Sequence, residues 1–201
     1  MGKVNKSITP GDFFCIPALS EMDGKGFVMA RYIGAVSGNA GYLIEVFKKF
    51  YKALPADIGE VDTSERLFRP VLCSFNFPEI PRWRVVFHDP DYDRSKSGYQ
   101  DIVLEFVPYL WVGGEKQPKG IKSEGKGFER SICWRTLHLI FRVNAHLAGR
   151  FESDEPYDYH KLNAAERVDA PDAVSDVIAL AESVEANLAK QFSVWKKKVK
   201  G

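Results

Sequence analysis

The chain is poor in cysteine and has no run apolar enough to cross a membrane. Its cysteines, Cys15, Cys73 and Cys133, are far apart, and none belongs to a Cys-x-x-Cys pair. This spacing predicts neither a disulfide framework nor a zinc site, and apolar neighbours favour buried thiols. No segment approaches the ~20 apolar residues of a membrane span, and the N-terminus lacks the apolar stretch of a signal peptide. We therefore predict a cytoplasmic protein that does not contact membranes.

An excess of charge of one sign is also lacking. The 28 basic and 27 acidic residues leave a net charge of +1, which does not demand a nucleic acid or an anionic membrane as partner.

The sequence contains no Gly-x-Gly-x-x-Gly, phosphate-loop, nucleophile-elbow or His-Glu-x-x-His motif. We predict no catalytic residue, no metal site and no cofactor, and therefore a protein that is not an enzyme.

The first 110 residues have the pattern of a β-rich domain. The chain is 45% hydrophobic and 13% aromatic, which is ample for a core. Short apolar runs alternate with turns rich in glycine and proline, and a charged loop covers residues 55–69. Strands are predicted at residues 13–16, 27–33, 42–47, 71–77, 83–87 and 102–107. Because the turns are short, neighbouring strands are expected to pair antiparallel.

The C-terminal part follows a loop rich in glycine and lysine at residues 111–130. Residues 131–147 fit two patterns. Apolar residues alternate as in a strand, whereas Arg135, His138, Arg142 and His146 recur at helical spacing before a possible cap at Gly149. The length of the segment favours a helix over a strand.

A last helix is predicted to begin at Pro171 and to continue for about 25 residues, because apolar residues recur there at spacings of three and four. The predicted fold class is α+β. A bent antiparallel sheet or small SH3-like barrel over residues 1–110 is followed by helices over residues 131–201, which pack on the sheet.

One loop carries residue types that bind metals. His88 is followed by Asp89, Asp91 and Asp93, and oxygen-rich loops can hold calcium or magnesium. The loop lacks the glycine and the terminal glutamate of an EF-hand. A polar loop between strands is therefore favoured over a metal-dependent enzyme.

Aromatic residues beside arginines are the candidates for binding a partner. Arg82, Trp83 and Arg84 are consecutive, and tryptophan and arginine are typical anchors of protein interfaces. Trp134 with Arg135 is a further candidate, as is the aromatic and acidic segment 154–160. The alternative for each tryptophan is a core residue with an arginine extended along it.

Several segments resemble the Imm26 family of bacterial immunity proteins. The resemblance covers about residues 9–107 and lies in residues 10–17 (PGDFFCIP), 26–34 (GFVMARYIG), 43–47 (LIEVF) and 82–86 (RWRVV). It implies a protein that binds and neutralises a cognate toxin of a polymorphic toxin system, without catalytic residues. Arg82, Trp83 and Arg84 are then the expected contacts with the toxin.

The opening strands also resemble the SH3-like barrels of ribonuclease toxins of the MazF type. This second resemblance implies a nucleic-acid-binding or RNA-processing barrel, with a basic stripe of Arg82, Arg84, Arg94 and Lys96. The balanced charge does not favour a nucleic-acid partner, so a non-catalytic protein that binds a toxin is the preferred prediction.

Overall fold

The computed structural model describes residues 8–36, 41–74, 84–117 and 127–199, with side chains as far as residue 192. The described residues form ten strands and two α-helices: β1 Asp12–Ser20, β2 Gly24–Ala35, β3 Tyr42–Tyr51, β4 Val71–Cys73, β5 Val85–His88, β6 Val103–Phe106, β7 Tyr109–Val112, β8 Glu115–Lys116, β9 Glu129–Arg130, β10 Cys133–Trp134, α1 Thr136–Leu147 and α2 Pro171–Val199. Short 3-10 helices lie between them: Ile58–Glu60, Arg94–Ser97, Tyr99–Asp101, Tyr159–Lys161 and Ala164–Glu166.

The larger sheet has six strands in the order β10-β4-β3-β2-β1-β5. The strands β1 to β4 pair antiparallel, each with the next along the chain, as predicted for neighbouring strands, and β10 joins β4 in parallel. The register of β2 against β3 shifts twice, between Val28 and Ala30 and between Tyr32 and Gly34. Such irregularities bend a sheet. Nearly every residue of β2 is buried, so the sheet is covered on both faces along this strand.

The smaller sheet has four strands in the order β8-β7-β6-β9. The strands β6, β7 and β8 form an antiparallel meander, and β9 adds in parallel beside β6. The strands β8 and β9 lie within residues 111–130, which the sequence predicted as a loop. The division of the chain into domains at that loop stays a prediction.

The two helices pack against β1. Apolar side chains of both helices join those of β1, β2 and β3 in one core. Residues 136–147 form the helix α1 and not a strand, with Leu139, Ile140 and Val143 completely buried. No helix among the described residues is long and apolar enough to cross a membrane.

The structure confirms the α+β class, with two mixed sheets followed by helices at the C-terminus. One prediction about the cysteines is wrong. Cys15 and Cys73 are buried, but Cys133 is exposed because it lies on β10, a two-residue strand at the edge of the larger sheet.

Candidate functional site

A cleft of about 990 Å³ opens between the larger sheet and the loop that follows α1. Both halves of the chain contribute to its wall. The inner part comes from β2, β3, the segment 63–70 and the 3-10 helix Arg94–Ser97, and the outer part comes from the end of α1 and residues 149–154. The charged residues that line it are Arg31, Glu45, Lys48, Glu65, Arg66, Arg69, Lys96, Glu152 and Asp154.

Glu45 is the centre of a buried ionic cluster in the inner part of this cleft. It faces Arg31 across the antiparallel pair of β2 and β3, and opposite charges at such directly facing positions attract. Nε of Arg31 donates to Oε1 of Glu45 at 2.7 Å, and Nε and Nη2 of Arg66 donate to Oε2 at 2.8 and 2.6 Å. The hydroxyl of Ser97 donates to Oε1 at 2.5 Å. The carboxylate therefore accepts hydrogen bonds on both oxygens.

Arg31 is held rigidly by aromatic rings. Its guanidinium carbon lies 5.4 Å from the ring centres of Phe13 and Phe47 and 4.7 Å from that of Tyr92. Gly11 permits the approach of Tyr92, because a Cβ on Gly11 would lie 2.7 Å from Cβ of Tyr92. The turn that opens the first strand is therefore part of the support of this cluster.

Arg66 is the member of the cluster that faces the cleft. Its side chain is 34% exposed, whereas those of Arg31 and Glu45 are 7% and 1% exposed. Nη2 of Arg66 also donates to the carbonyl of Ser97 at 2.6 Å. Within the described part of the chain, Nη1 of Arg66 has no acceptor. Two arginines share one glutamate, so the cluster carries one net positive charge.

The rim of the cleft is more exposed and carries charges of both signs, since Lys48, Arg69 and Lys96 line the cleft together with Glu65, Glu152 and Asp154. Lys48 pairs with Glu65 at 2.8 Å, and both side chains are about two-thirds exposed. Glu152 and Asp154 are exposed on the opposite side. Exposed pairs of this kind contribute little to stability. The cleft therefore has one excess positive charge in its inner part and charges of both signs at its rim.

A second buried ion pair joins α1 to the smaller sheet. Nη1 and Nη2 of Arg142 donate to the two carboxylate oxygens of Glu129 at 2.7 and 2.8 Å. The side chains are 1% and 6% exposed. The guanidinium of Arg142 lies 4.4 Å from the ring centre of Phe68 and 5.0 Å from that of Trp134. The pair thus connects the segment 63–70 with the C-terminal half.

His146 lies one turn after Arg142 on α1 and lines the cleft. It is only 6% exposed, and its ring packs on Phe68 at 4.9 Å. Neither ring nitrogen has a well-formed hydrogen bond among the described residues. Burial and the charge of Arg142 lower the pKa of His146 to about 4. A contact with the backbone of Phe151, too poorly aligned to be a good hydrogen bond, and the charge of Glu155 raise this pKa without outweighing them. The imidazole is therefore neutral near pH 7.

This lowered pKa predicts a stability that depends on pH. Below the unfolded pKa of about 6.5, the unfolded chain binds a proton that folded His146 does not accept until about pH 4. The neutral His146 therefore costs no stability above about pH 6.5, and the free energy of unfolding decreases as the pH falls below this value. Urea titrations are expected to show a loss of about 2 kcal/mol between pH 7 and pH 5. The variant His146→Phe keeps a ring in place and should remove most of this loss; an unchanged pH dependence would contradict the assignment.

A second groove of about 860 Å³ lies on the C-terminal side. Two aromatic segments that the sequence singled out meet here, because the rings of Trp134 and Tyr157 are 5.4 Å apart in an edge-on arrangement. Tyr159, His138 and the exposed Ile132 also line the groove. Arg135, in contrast, is exposed and does not line it.

The predicted anchors fall largely outside the described residues. Arg82 and Trp83 are not described. Arg84 is exposed beside the edge strand β5, and its guanidinium carbon lies 5.4 Å from the ring centre of Phe192. Of the proposed basic stripe, Arg94 lies 5.1 Å from the ring centre of Tyr99, and Lys96 pairs with Asp89 at 3.3 Å.

The candidate metal loop has a different arrangement. Nδ1 of His88 lies 2.8 Å from Oδ1 of Asp12, on the neighbouring strand. In the described ranges, no group of three or more His, Cys, Asp or Glu side chains is suitable for holding a metal ion. Asp89 and Asp93 instead cap local turns through the amides of Asp91 and Ser95.

The two buried cysteines also give no support to nucleophilic catalysis. Burial raises the pKa of the thiols of Cys15 and Cys73 well above the usual value. The thiolate is the reactive form, so these two thiols are inert at neutral pH.

The sequence analysis did not predict Arg31, Glu45 and Arg66 as site residues. Arg31 was visible as the single charge in an apolar strand, and Glu45 as the single acid in the segment LIEVF. A charge inside a buried strand requires a partner. The spacing of the residues in the chain does not show which partner each one finds.

Comparison with known families assigns the N-terminal half of the chain. The family model described as Immunity protein 26 matches residues 9–105. No curated protein and no solved structure matches the chain. The matched segment contains Arg31, Glu45, Arg66 and Ser97, which form the inner part of the cleft. Residues 9–105 therefore match the Immunity protein 26 family, as the sequence resemblance predicted.

Proposed function

We propose that this chain is a non-catalytic immunity protein that neutralises a cognate bacterial toxin by binding it in the cleft. The family match supports the immunity role. The observation that supports the cleft as the binding site is the cluster of Arg31, Glu45 and Arg66. This cluster lies within the matched segment, and Arg66 is its member that faces the cleft. Arginine held in a defined geometry is a frequent energetic centre of protein interfaces.

The cleft is better suited to binding than to catalysis. Both oxygens of Glu45 accept hydrogen bonds from charged or hydroxyl donors of the protein itself. A carboxylate occupied in this way has little capacity left to accept a hydrogen bond from a molecule in the cleft. Its rigid partners instead keep Arg66 in one conformation, which lowers the entropy lost when a partner is bound.

A second contact with the toxin is proposed at Arg82, Trp83 and Arg84. Arg84 is exposed next to Val85, which is 41% exposed at the start of β5. An exposed apolar residue beside an arginine has the composition of a small interface patch. The toxin is a cytoplasmic partner in this proposal, and neither a membrane nor a nucleic acid takes part.

The candidate toxin for the test is the product of the gene next to the one that encodes this chain. Co-expression is expected to restore the growth of cells that the toxin inhibits, and the two proteins should purify together. Arg66→Met removes the charge at the cleft but keeps an unbranched side chain. We expect it to weaken toxin binding about 30-fold in a calorimetric titration.

Lys52→Ala is the matched control, because Lys52 forms an exposed ion pair with Asp23 and does not line the cleft. It should leave the affinity unchanged. Arg84→Ala tests the second contact separately. If the neighbouring gene product is harmless and nothing purifies with the chain, the immunity role is wrong. If Arg66→Met binds as tightly as the native protein, the toxin binds on another face.

A further inference from the structure

We propose that the cleft recognises a single carboxylate, carried by a segment of the partner. This inference rests on the proposed function, because the toxin is the protein that supplies the segment. It specifies the chemistry of the contact: one aspartate or glutamate side chain of the partner reaches Arg66.

The inner part of the cleft has the charge and the hydrogen-bond donor to bind an anion. Arg31 and Arg66 share Glu45, so one positive charge is uncompensated there. Nη1 of Arg66 has no acceptor in the described part of the protein. A guanidinium binds carboxylates through directed, charge-assisted hydrogen bonds. Because Arg31 is enclosed by aromatic rings, Arg66 is the residue of this cluster that makes the contact.

The charges of the wall limit which anion fits. Outside the cluster, the wall carries three basic residues, Lys48, Arg69 and Lys96, and three acidic residues, Glu65, Glu152 and Asp154, so these charges cancel. The excess is the one positive charge of the cluster. A phosphate group carries a charge of about −1.5 to −2 near neutral pH, which exceeds it. A carboxylate carries one negative charge and matches it.

A second, independent feature of the wall points to a ligand. His146 is only 6% exposed and lines the cleft, and both its ring nitrogens lack a well-formed hydrogen bond within the described residues. A neutral imidazole has one donor and one acceptor, and burying them without partners is costly. A peptide segment in the cleft offers carbonyl and amide groups that satisfy them.

The test is a nitrogen-15 NMR titration of the full chain with a short synthetic peptide, acetyl-Gly-Lys-Ser-Glu-Ser-Lys-Gly-amide. The amides of Ser97, Gly98 and Gly149 and the ring nitrogens of His146 are expected to shift and to saturate. The peptide with glutamine in place of glutamate has the same shape and lacks the charge. It should bind at least tenfold more weakly.

Variants assign the effect to Arg66. Arg66→Met is expected to weaken binding of the glutamate peptide at least tenfold, while Lys52→Ala should bind like the native protein. Equal shifts for the two peptides, or shifts away from the cleft, would overturn the proposal. If Arg66→Met does not fold, as its own spectrum reveals, the comparison of the two peptides on the native chain decides.

The outcome is separable from that of the toxin experiment. If the chain neutralises the toxin but binds the glutamate and glutamine peptides equally, the immunity role is supported and the carboxylate site is wrong. If the chain binds the glutamate peptide in the cleft but neutralises no toxin, the carboxylate site is supported and the immunity role is wrong.

Discussion

Replacing Glu45 with glutamine is expected to lower the free energy of unfolding by about 3–5 kcal/mol. The substitution keeps the shape of the side chain but leaves Arg31, which is 7% exposed, with a buried charge that nothing neutralises. Burial of an unpaired charge is among the largest single costs in a folded protein. Urea unfolding followed by circular dichroism measures the change.

Two variants separate this effect from the loss of an ordinary ion pair. Glu65→Gln removes the partner of Lys48 at an exposed position and should cost less than about 1 kcal/mol. The triple variant Arg31→Met, Glu45→Leu, Arg66→Met removes all three charges together. It should recover much of the stability that Glu45→Gln loses, because no charge stays buried without a partner. A small loss for Glu45→Gln would contradict the buried cluster.

Replacing Glu129 with glutamine is the other change for which a large effect is expected, again about 3–5 kcal/mol. Glu129 binds Arg142 through two hydrogen bonds, and both side chains are almost completely buried. Arg142 then retains its stacking on Phe68 and Trp134 but loses its counter-charge. The attachment of α1 to β9 should weaken more than the core of the larger sheet.

Hydrogen exchange followed by mass spectrometry locates this loss. Amides of α1 and of β9 are expected to exchange faster in Glu129→Gln, while those of β2 keep their protection. Glu166→Gln is the control, because its pair with Arg150 is one-third to two-fifths exposed and should contribute about 1 kcal/mol or less. Equal protection of α1 in both variants would show that the pair does not hold the helix.

Local patterns in the sequence predicted much of the fold. Glycine and proline turns between apolar runs indicated β1, β2 and β3, and the spacing of apolar residues after Pro171 indicated α2. These elements depend on interactions between residues that are close in the chain. Residues 131–147 fitted two patterns, and burial of Leu139, Ile140 and Val143 against β1 explains why the helix forms.

Such local patterns did not predict the candidate site. The sequence reading concentrated on Trp83 and its neighbours, because aromatic and basic residues are conspicuous when they are adjacent. The charged residues of the cleft are spread out: Ser97 follows Arg31 by 66 residues and Glu45 by 52. Arg66 lies in a segment that was predicted as a charged loop, and it reaches Glu45 because this segment pairs with β3 at Phe47.

The sequence by itself determined the strands β1 to β3, the helix α2, the balance of charge and the match of residues 9–105 to the Immunity protein 26 family. Each of these depends on composition or on neighbours along the chain. Only the tertiary structure decided which charges are buried and which of them is left in excess. The reason is physical: the pairing of Arg31 with Glu45 depends on the register of β2 and β3, and the exposure of Arg66 depends on how the C-terminal half packs against them.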